Sequence, residues 1–270
     1  MPKEEFPLEQ DELEAALAAQ LQTARPSERA ALYGSAYDEI YTLLLKDRGA
    51  TAEEQVFGVS DWMMSMLFKT ATSETRILEI GCGCGFASLE LAKRGHRVTG
   101  IDVSKIAIEK ARNHAQGLGN QPEFLWGEGV RLPFDSGSFD FVFSIEVVEH
   151  LHPTDVPTHL EEVHRVLSSG GRYWFATPNG AAVKPPGTKA THVHLKEWSL
   201  SELSVLLKEK GFKSAVSPWK PPKMRSIFNV PLALKLPAEK MATLIRSPRL
   251  NRLFMLLTGT MDCSVMATRI

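Results

Sequence analysis

The chain has 270 residues, 43% of them hydrophobic and 23% charged, which allows one sizeable buried core and speaks against a disordered or fibrous protein. Its 31 basic residues against 32 acidic ones leave no overall field that would hold a polyanion, so nucleic acid is not an expected partner. Three cysteines, with Cys82 and Cys84 too close for an ordinary structural disulfide, point to a reducing, cytoplasmic setting.

The first twenty residues are acidic and Ala/Leu-rich, unlike a signal peptide, and no apolar run reaches membrane-spanning length. Leu13, Leu17 and Leu21 recur at helical spacing, and Pro26 with Ser27 interrupts and restarts the helix. A second helix runs to Lys46 and carries Tyr33, Tyr37 and Tyr41 on one face; the stripe reads equally as packing and as a contact to a ligand. A further apolar helix is expected around Asp61 to Phe68. From Arg76 the pattern changes to short β-rich runs at 77–80, 96–101, 123–126, 139–144 and 172–176, alternating with amphipathic stretches. That rhythm predicts a mostly parallel sheet covered by helices on both faces. Ser199 and Glu202 form a capping-box pattern for a helix ending near Gly211, followed by strands at 212–217 and 263–268. Three segments result: a helical extension or lid at 1–72, a core at 73–217, and a helical insertion with the final strand at 218–270.

The most informative stretch runs from Ile77 through Leu78, Glu79, Ile80, Gly81, Cys82, Gly83 and Cys84 to Gly85 and Phe86, where a buried strand meets three alternating glycines and then a helix. A dinucleotide fingerprint needs Gly-x-Gly-x-x-Gly; counted from Gly81 the sixth position is Phe86, and counted from Gly83 it is Ser88, so a pyrophosphate loop is disfavoured. Small size explains Cys82 and Cys84 at this turn better than redox or zinc chemistry does. The next run ends in Gly100, Ile101, Asp102, Val103 and Ser104, and later come Gly127, Glu128 and Gly129.

The Glu-x-Gly-x-Gly-x-Gly pattern with this acidic strand end resembles motif I and the second strand of class I S-adenosylmethionine-dependent methyltransferases. The order of later motifs resembles the methyltransferase type 11 and ubiquinone-biosynthesis O-methyltransferase groups. The resemblance spans Arg76 to Phe212 and implies a Rossmann-like seven-stranded, mostly parallel sheet with helices on both faces, an N-terminal helical extension and a helical insertion before the last strand. It implies S-adenosylmethionine as donor and S-adenosylhomocysteine as product, held by Glu79, Gly81, Gly83, Gly85, Asp102, Val103, Glu128, Gly129 and Ser144. In it Asp102 accepts from both ribose hydroxyls, Glu128 stands where an Asp usually accepts from the adenine amino group, and the Gly129 amide faces the ring.

After the fourth strand, Glu146, Glu149 and His150 resemble the Glu-x-x-Glu-His segment of ubiquinone O-methyltransferases, associated there with a divalent cation such as Mg near the acceptor. These three residues are the expected catalytic and metal-binding groups. Two alternatives stand beside that reading: His150 acting as a metal-free base, and Glu149 with His150 only ordering the loop. A second cluster, Thr191 to Trp198, could project His192 and His194 toward the acceptor or leave them solvated. Between 218 and 258, eight Lys and Arg residues against Glu239 alone suggest either a helical cap or peripheral membrane contact. The expected reaction is methyl transfer to a small-molecule or lipid-like acceptor at oxygen, with N- or C-methylation as the nearest alternative. A non-catalytic donor-binding module and a nicotinamide-dependent dehydrogenase are the rivals from other classes.

Overall fold

The computed structural model describes residues 8–48, 61–71, 75–178, 180, 194–218 and 262–270. The expected 218–258 insertion, apart from Pro218, lies outside these residues, as do Thr191, His192 and Val193. The elements in chain order are α1 (Leu8–Thr23), α2 (Pro26–Arg48), α3 (Asp61–Thr70), β1 (Arg76–Ile80), α4 (Phe86–Lys93), β2 (Arg97–Asp102), α5 (Lys105–Ala115), β3 (Glu123–Trp126), β4 (Phe139–Ile145), α6 (Val156–Val166), β5 (Leu167–Pro178), α7 (Leu200–Glu209), β6 (Phe212–Pro218) and β7 (Asp262–Arg269).

Among the described residues the strands form a seven-stranded sheet in the order β3-β2-β1-β4-β5-β7-β6. β7 runs antiparallel to both of its neighbours, and the pairs among β1 to β5 are parallel. The chain order reverses between β1 and β4, so a cleft opens at their carboxyl ends, the usual ligand position in such sheets. Alternation along each central strand sends successive side chains to opposite faces. Leu78, Val142, Tyr173 and Phe175 meet α6 and α7 on one side, while Ile77, Phe141, Phe143 and Trp174 meet α3 and α4 on the other. Burial on both faces is why these strands read as nearly continuous apolar runs.

α6 docks through Val156, His159, Leu160, Val163 and Val166, an apolar stripe at helical spacing interrupted by one histidine. α7 begins at the expected capping box, with Ser199 accepting from the Glu202 amide and the Glu202 carboxylate accepting in return. β5 begins at Leu167, earlier than the expected 172, because the Leu167 end pairs with Phe139 across a register shift that absorbs Gly170 and Gly171. Leu17 and Leu21 of α1 pack on Ala36, Ile40 and Leu44 of α2, giving the N-terminal helices their own small core beside the sheet.

Candidate active site

The first half of the site starts at the turn after β1. Gly81, Gly83 and Gly85 have φ of 72°, 50° and 87°, a left-handed conformation that L side chains rarely adopt. A β-carbon on Gly83 would sit 2.6 Å from the Tyr41 hydroxyl, so the bare backbone is also a requirement of space. Glu79 lies beneath this turn rather than in it. Its buried carboxylate accepts from the Ser88 amide at 3.0 Å and from the Ser88 hydroxyl, capping the start of α4 from the neighbouring strand. Burial pushes its pKa up to about 8, with the Ser88 bonds opposing. Cys82 and Cys84 are buried thiols of the same turn.

Asp102 ends β2 opposite the glycine loop. One carboxylate oxygen accepts from the Gly83 amide and the other from the Ser104 amide, each at 2.8 Å. Burial raises its pKa, and the bonds from Ser104, Gly83 and Val103 oppose that shift. Each oxygen retains a second lone pair in principle, so the carboxylate fits the two-hydroxyl role that the resemblance gives it. The Val103 carbonyl accepts from the Trp126 indole at 2.9 Å. Past β3, Gly127 donates to the Asp102 carbonyl at 2.9 Å, and a tight turn joins the Arg131 amide to the Glu128 carbonyl at 3.2 Å. Glu128 and Gly129 therefore sit on a turn tied back to the end of β2.

α2 crosses this cleft, and its tyrosines mark the path. Tyr33 donates to the His150 carbonyl at 3.0 Å and accepts from the His152 amide at 2.8 Å. The Tyr37 ring meets the His150 ring edge-on, with centroids 6.2 Å apart, and Tyr41 reaches the Gly83 turn. Asp38, a residue that sequence reasoning missed, accepts from the Ser104 hydroxyl at 2.6 Å and from the Ile106 amide at 3.1 Å. The stripe of helical spacing thus packs on the His150 loop and the Gly83 turn.

The second half of the site lies after β4. Ser144 turns its hydroxyl into the core, 2.7 Å from the Tyr173 hydroxyl. Glu146 has φ 53°, a left-handed conformation costing a non-glycine residue about 1–2 kcal/mol; it swings the chain out of the strand. Glu149 is buried and joins three segments. Its carbonyl accepts from Leu195 at 2.9 Å and Lys196 at 3.2 Å, and its Oε2 accepts from Thr177 at 2.9 Å. Its Oε1 lies 3.9 Å from His150 Nε2. The His194 ring stands edge-on to His150 with centroids 4.8 Å apart, and its Nδ1 lies 3.2 Å from Glu197 Oε1.

Glu149, His150 and His194 each offer one ligand atom, all within 4.8 Å of one another. The structure thus brings together two of the three expected residues and supplies His194 in place of Glu146 as the third. The pattern 194–197 carries a weak signal for it, since a histidine three residues before an acid can be oriented by that acid. Thr177 and Glu197 have the second-layer positions that orient such groups. Among the described residues no helix is long and apolar enough to cross a membrane.

Residues 77–171 match a family described as a methyltransferase domain. The chain is 38% identical over 109 residues to sterol 24-C-methyltransferase ERG6A of Gibberella zeae, covering 38% of this chain and 28% of that protein. It is 36% identical over 106 residues to a ubiquinone biosynthesis O-methyltransferase of Nitrosococcus oceani, covering 38% of this chain and 44% of the relative. It therefore spans less than half the length of either relative. In fold it is similar to the Burkholderia thailandensis 1,6-didemethyltoxoflavin-N1-methyltransferase solved with 1,6-didemethyltoxoflavin and S-adenosylhomocysteine, with a TM-score of 0.62, 18% identity and coverage of 91% of each chain. The matched segment holds the glycine turn, Asp102, Glu149 and His150, so this part of the chain is similar to a methyltransferase domain, set in a fold that solved methyltransferases share.

Proposed function

We propose that the protein transfers a methyl group from S-adenosylmethionine to oxygen of a small-molecule or lipid-like acceptor. The observation that carries the reading is the juxtaposition of a bare glycine turn and buried Asp102 with the Glu149, His150 and His194 group across the switch point of the sheet. The fit of the donor rests on Asp102, a buried carboxylate whose oxygens each keep a lone pair beyond the bonds from the Gly83 and Ser104 amides. The relatives are named as C- and O-methyltransferases. Oxygen is favoured because a hydroxyl acceptor must lose a proton, and two imidazoles beside a carboxylate suit that need.

When bound, the donor supplies an electrophilic methyl on a sulfonium, so alignment of the nucleophile about 3 Å away is the main catalytic task. Asp102 and the Gly81–Gly85 turn hold the ribose and amino-acid end, and the Glu128 and Gly129 turn faces the adenine. Helices α1 and α2 act as lid, with the tyrosine face of α2 excluding water. His150 takes the acceptor hydroxyl's proton as the oxygen–carbon bond forms and the carbon–sulfur bond breaks. Glu149 holds His150 in place, and Glu146 shapes the loop that presents both. The setting is cytoplasmic, and the basic 218–258 segment brings the chain to a membrane surface when the acceptor is lipid-like.

The test is calorimetry with S-adenosylhomocysteine and NADH, then mass spectrometry of products from a panel of phenols, sugars, amines and lipids. Donor binding with a methyl ether as product is expected; tight NADH binding alone, or donor binding with no methylated product, overturns the reading. His150→Ala should lower turnover and leave donor affinity unchanged. A second reading has a specific observation behind it: Glu149, His150 and His194, backed by Thr177 and Glu197, suit a divalent cation. Such an ion would lower the pKa of the acceptor hydroxyl. Activity that disappears in chelator and returns with added Mg or Zn selects this reading; activity indifferent to chelator selects His150 as base.

A further inference from the structure

A chain of buried polar side chains runs under the sheet's carboxyl edge and ends at the turn assigned to adenine. Ser144 Oγ lies 2.7 Å from the Tyr173 hydroxyl, which lies 3.0 Å from His159 Nε2, and His159 Nδ1 lies 2.8 Å from the Gly129 carbonyl. Ser144, Tyr173 and His159 are each 0% exposed. They come from β4, β5 and α6, three elements otherwise joined there by apolar packing.

The direction of every bond is fixed by the last one. A carbonyl only accepts, so His159 Nδ1 carries the proton. Nε2 is then the acceptor, so the Tyr173 hydroxyl donates to it and itself accepts from Ser144. Burial lowers the His159 pKa to about 4, which keeps the ring neutral as this arrangement requires. An apolar residue at 159 would fill the α6 stripe equally well for packing, which leaves the polar chain without a packing explanation.

The rest of the turn is held separately. Leu132 donates its amide to Glu162 at 2.8 Å, and Arg165 donates to the Phe134 and Leu132 carbonyls at 2.6 and 2.9 Å. Residues 159, 162 and 165 lie three apart along α6, and only His159 reaches the peptide at the tip. Its ring also lies against the loop, since a β-carbon on Gly129 would be 3.4 Å from His159 Nδ1.

We propose that His159, oriented by Tyr173 and Ser144, is a positioning residue for the donor: it fixes the Gly129 peptide so that the turn meets the adenine ring in one orientation. This rests on the assignment of Glu128 and Gly129 to adenine made above. Because Ser144 lies in β4 two residues before Glu146, the same chain also ties the donor turn to the strand that presents the acceptor groups.

The test is calorimetry with S-adenosylhomocysteine and with methylthioadenosine, which keeps the adenine and lacks the amino-acid end, on the full chain and three variants. Tyr173→Phe keeps the ring and removes only the relay; loss of one oriented hydrogen bond should weaken both ligands about fivefold. His159→Leu should weaken both about tenfold or more and raise the donor KM while kcat at saturating donor stays near wild type. His159→Asn places an amide N–H near the Nδ1 position and should recover part of the loss. Melting temperatures identify any variant that fails to fold, and Tyr173→Phe then carries the test. A folded Tyr173→Phe with unchanged affinity, or a loss seen for S-adenosylhomocysteine and absent for methylthioadenosine, overturns the proposal. Failure of the wild-type chain to bind either ligand overturns the donor assignment beneath it.

Discussion

Gly83→Ala combined with Tyr41→Phe tests whether α2 lies across the glycine turn. At φ 50° an alanine is strained by about 1–2 kcal/mol. Its β-carbon would also sit 2.6 Å from the Tyr41 hydroxyl oxygen, an overlap that typically costs a further 1–3 kcal/mol or so in a packed region. Tyr41 is buried and its helix is pinned by Tyr33 and Asp38, so the ring has little freedom to retreat. In Tyr41→Phe the nearest ring atom would be the former hydroxyl-bearing carbon at 3.6 Å, an ordinary contact, and only the backbone strain remains. The two substitutions should therefore couple by about 1–3 kcal/mol in a double-mutant cycle. Thermal unfolding reads this directly: at about 2–4 °C per kcal/mol for a chain of this size, the Gly83→Ala penalty should shrink by several degrees in the Tyr41→Phe background. An equal penalty in both backgrounds would refute the placement of α2 over the donor turn.

Asp102→Ala should weaken S-adenosylhomocysteine binding by about tenfold or more, because the ribose loses its acceptor and the Gly83 and Ser104 amides lose theirs; unchanged affinity by calorimetry speaks against the pose. Glu79 has a raised pKa in the folded chain, so the stability of its neutral form is complete below pH 4.5, its ordinary value, and is lost as pH rises through about 8. Glu79→Gln stays neutral and still accepts from Ser88, so its melting temperature should fall less steeply across that window than wild type; parallel curves contradict the assignment. Asp155→Ala leaves the buried Arg29 guanidinium without the partner now at 2.6 Å, at a cost of about 3 kcal/mol since Thr154 and the Ala24 carbonyl remain. Arg29→Met added to it should restore most of that in denaturant unfolding, and no recovery would mean that the ion pair is not what the site needs.

The sheet was legible because its strands are buried on both faces and because local chemistry marks their ends. Ile77 to Ile80 followed by three alternating glycines could be read as a strand entering a tight turn, and Ser199 with Glu202 as a helix start. Asp102 was marked only together with the glycine pattern and the family resemblance, and the structure sets its carboxylate on the Gly83 and Ser104 amides. The start of β5 was not legible because Gly170 and Gly171 read as a break, whereas the bulge opposite Phe139 carries the strand through them. His159 was missed although its signal is present: a histidine on the Val156, Leu160, Val163 stripe must find partners, and the partners, Tyr173 and the Gly129 carbonyl, are set by tertiary contact.

The acceptor half shows why a spacing motif alone could not settle its own members. Glu149 and His150 lie three and four residues after Glu146, which on a helix would put both on its face, but the chain here is a turn whose first residue has left-handed backbone. That turn leaves Glu146 outside the group, and Glu149 is drawn inward by Thr177 from β5 and by the amides of Leu195 and Lys196. The same two amide bonds set His194 beside His150, so the third member of the group arrives through the backbone of Glu149 and not through the motif. Ordering the loop and assembling the chemical group are then one act of Glu149, and Glu149→Gln separates them: it keeps the carbonyl bonds and an oxygen for Thr177, yet puts an amide nitrogen in place of the carboxyl oxygen beside His150. Melting should change little while turnover falls by about tenfold or more; a loss of stability with turnover intact would make Glu149 a loop anchor alone.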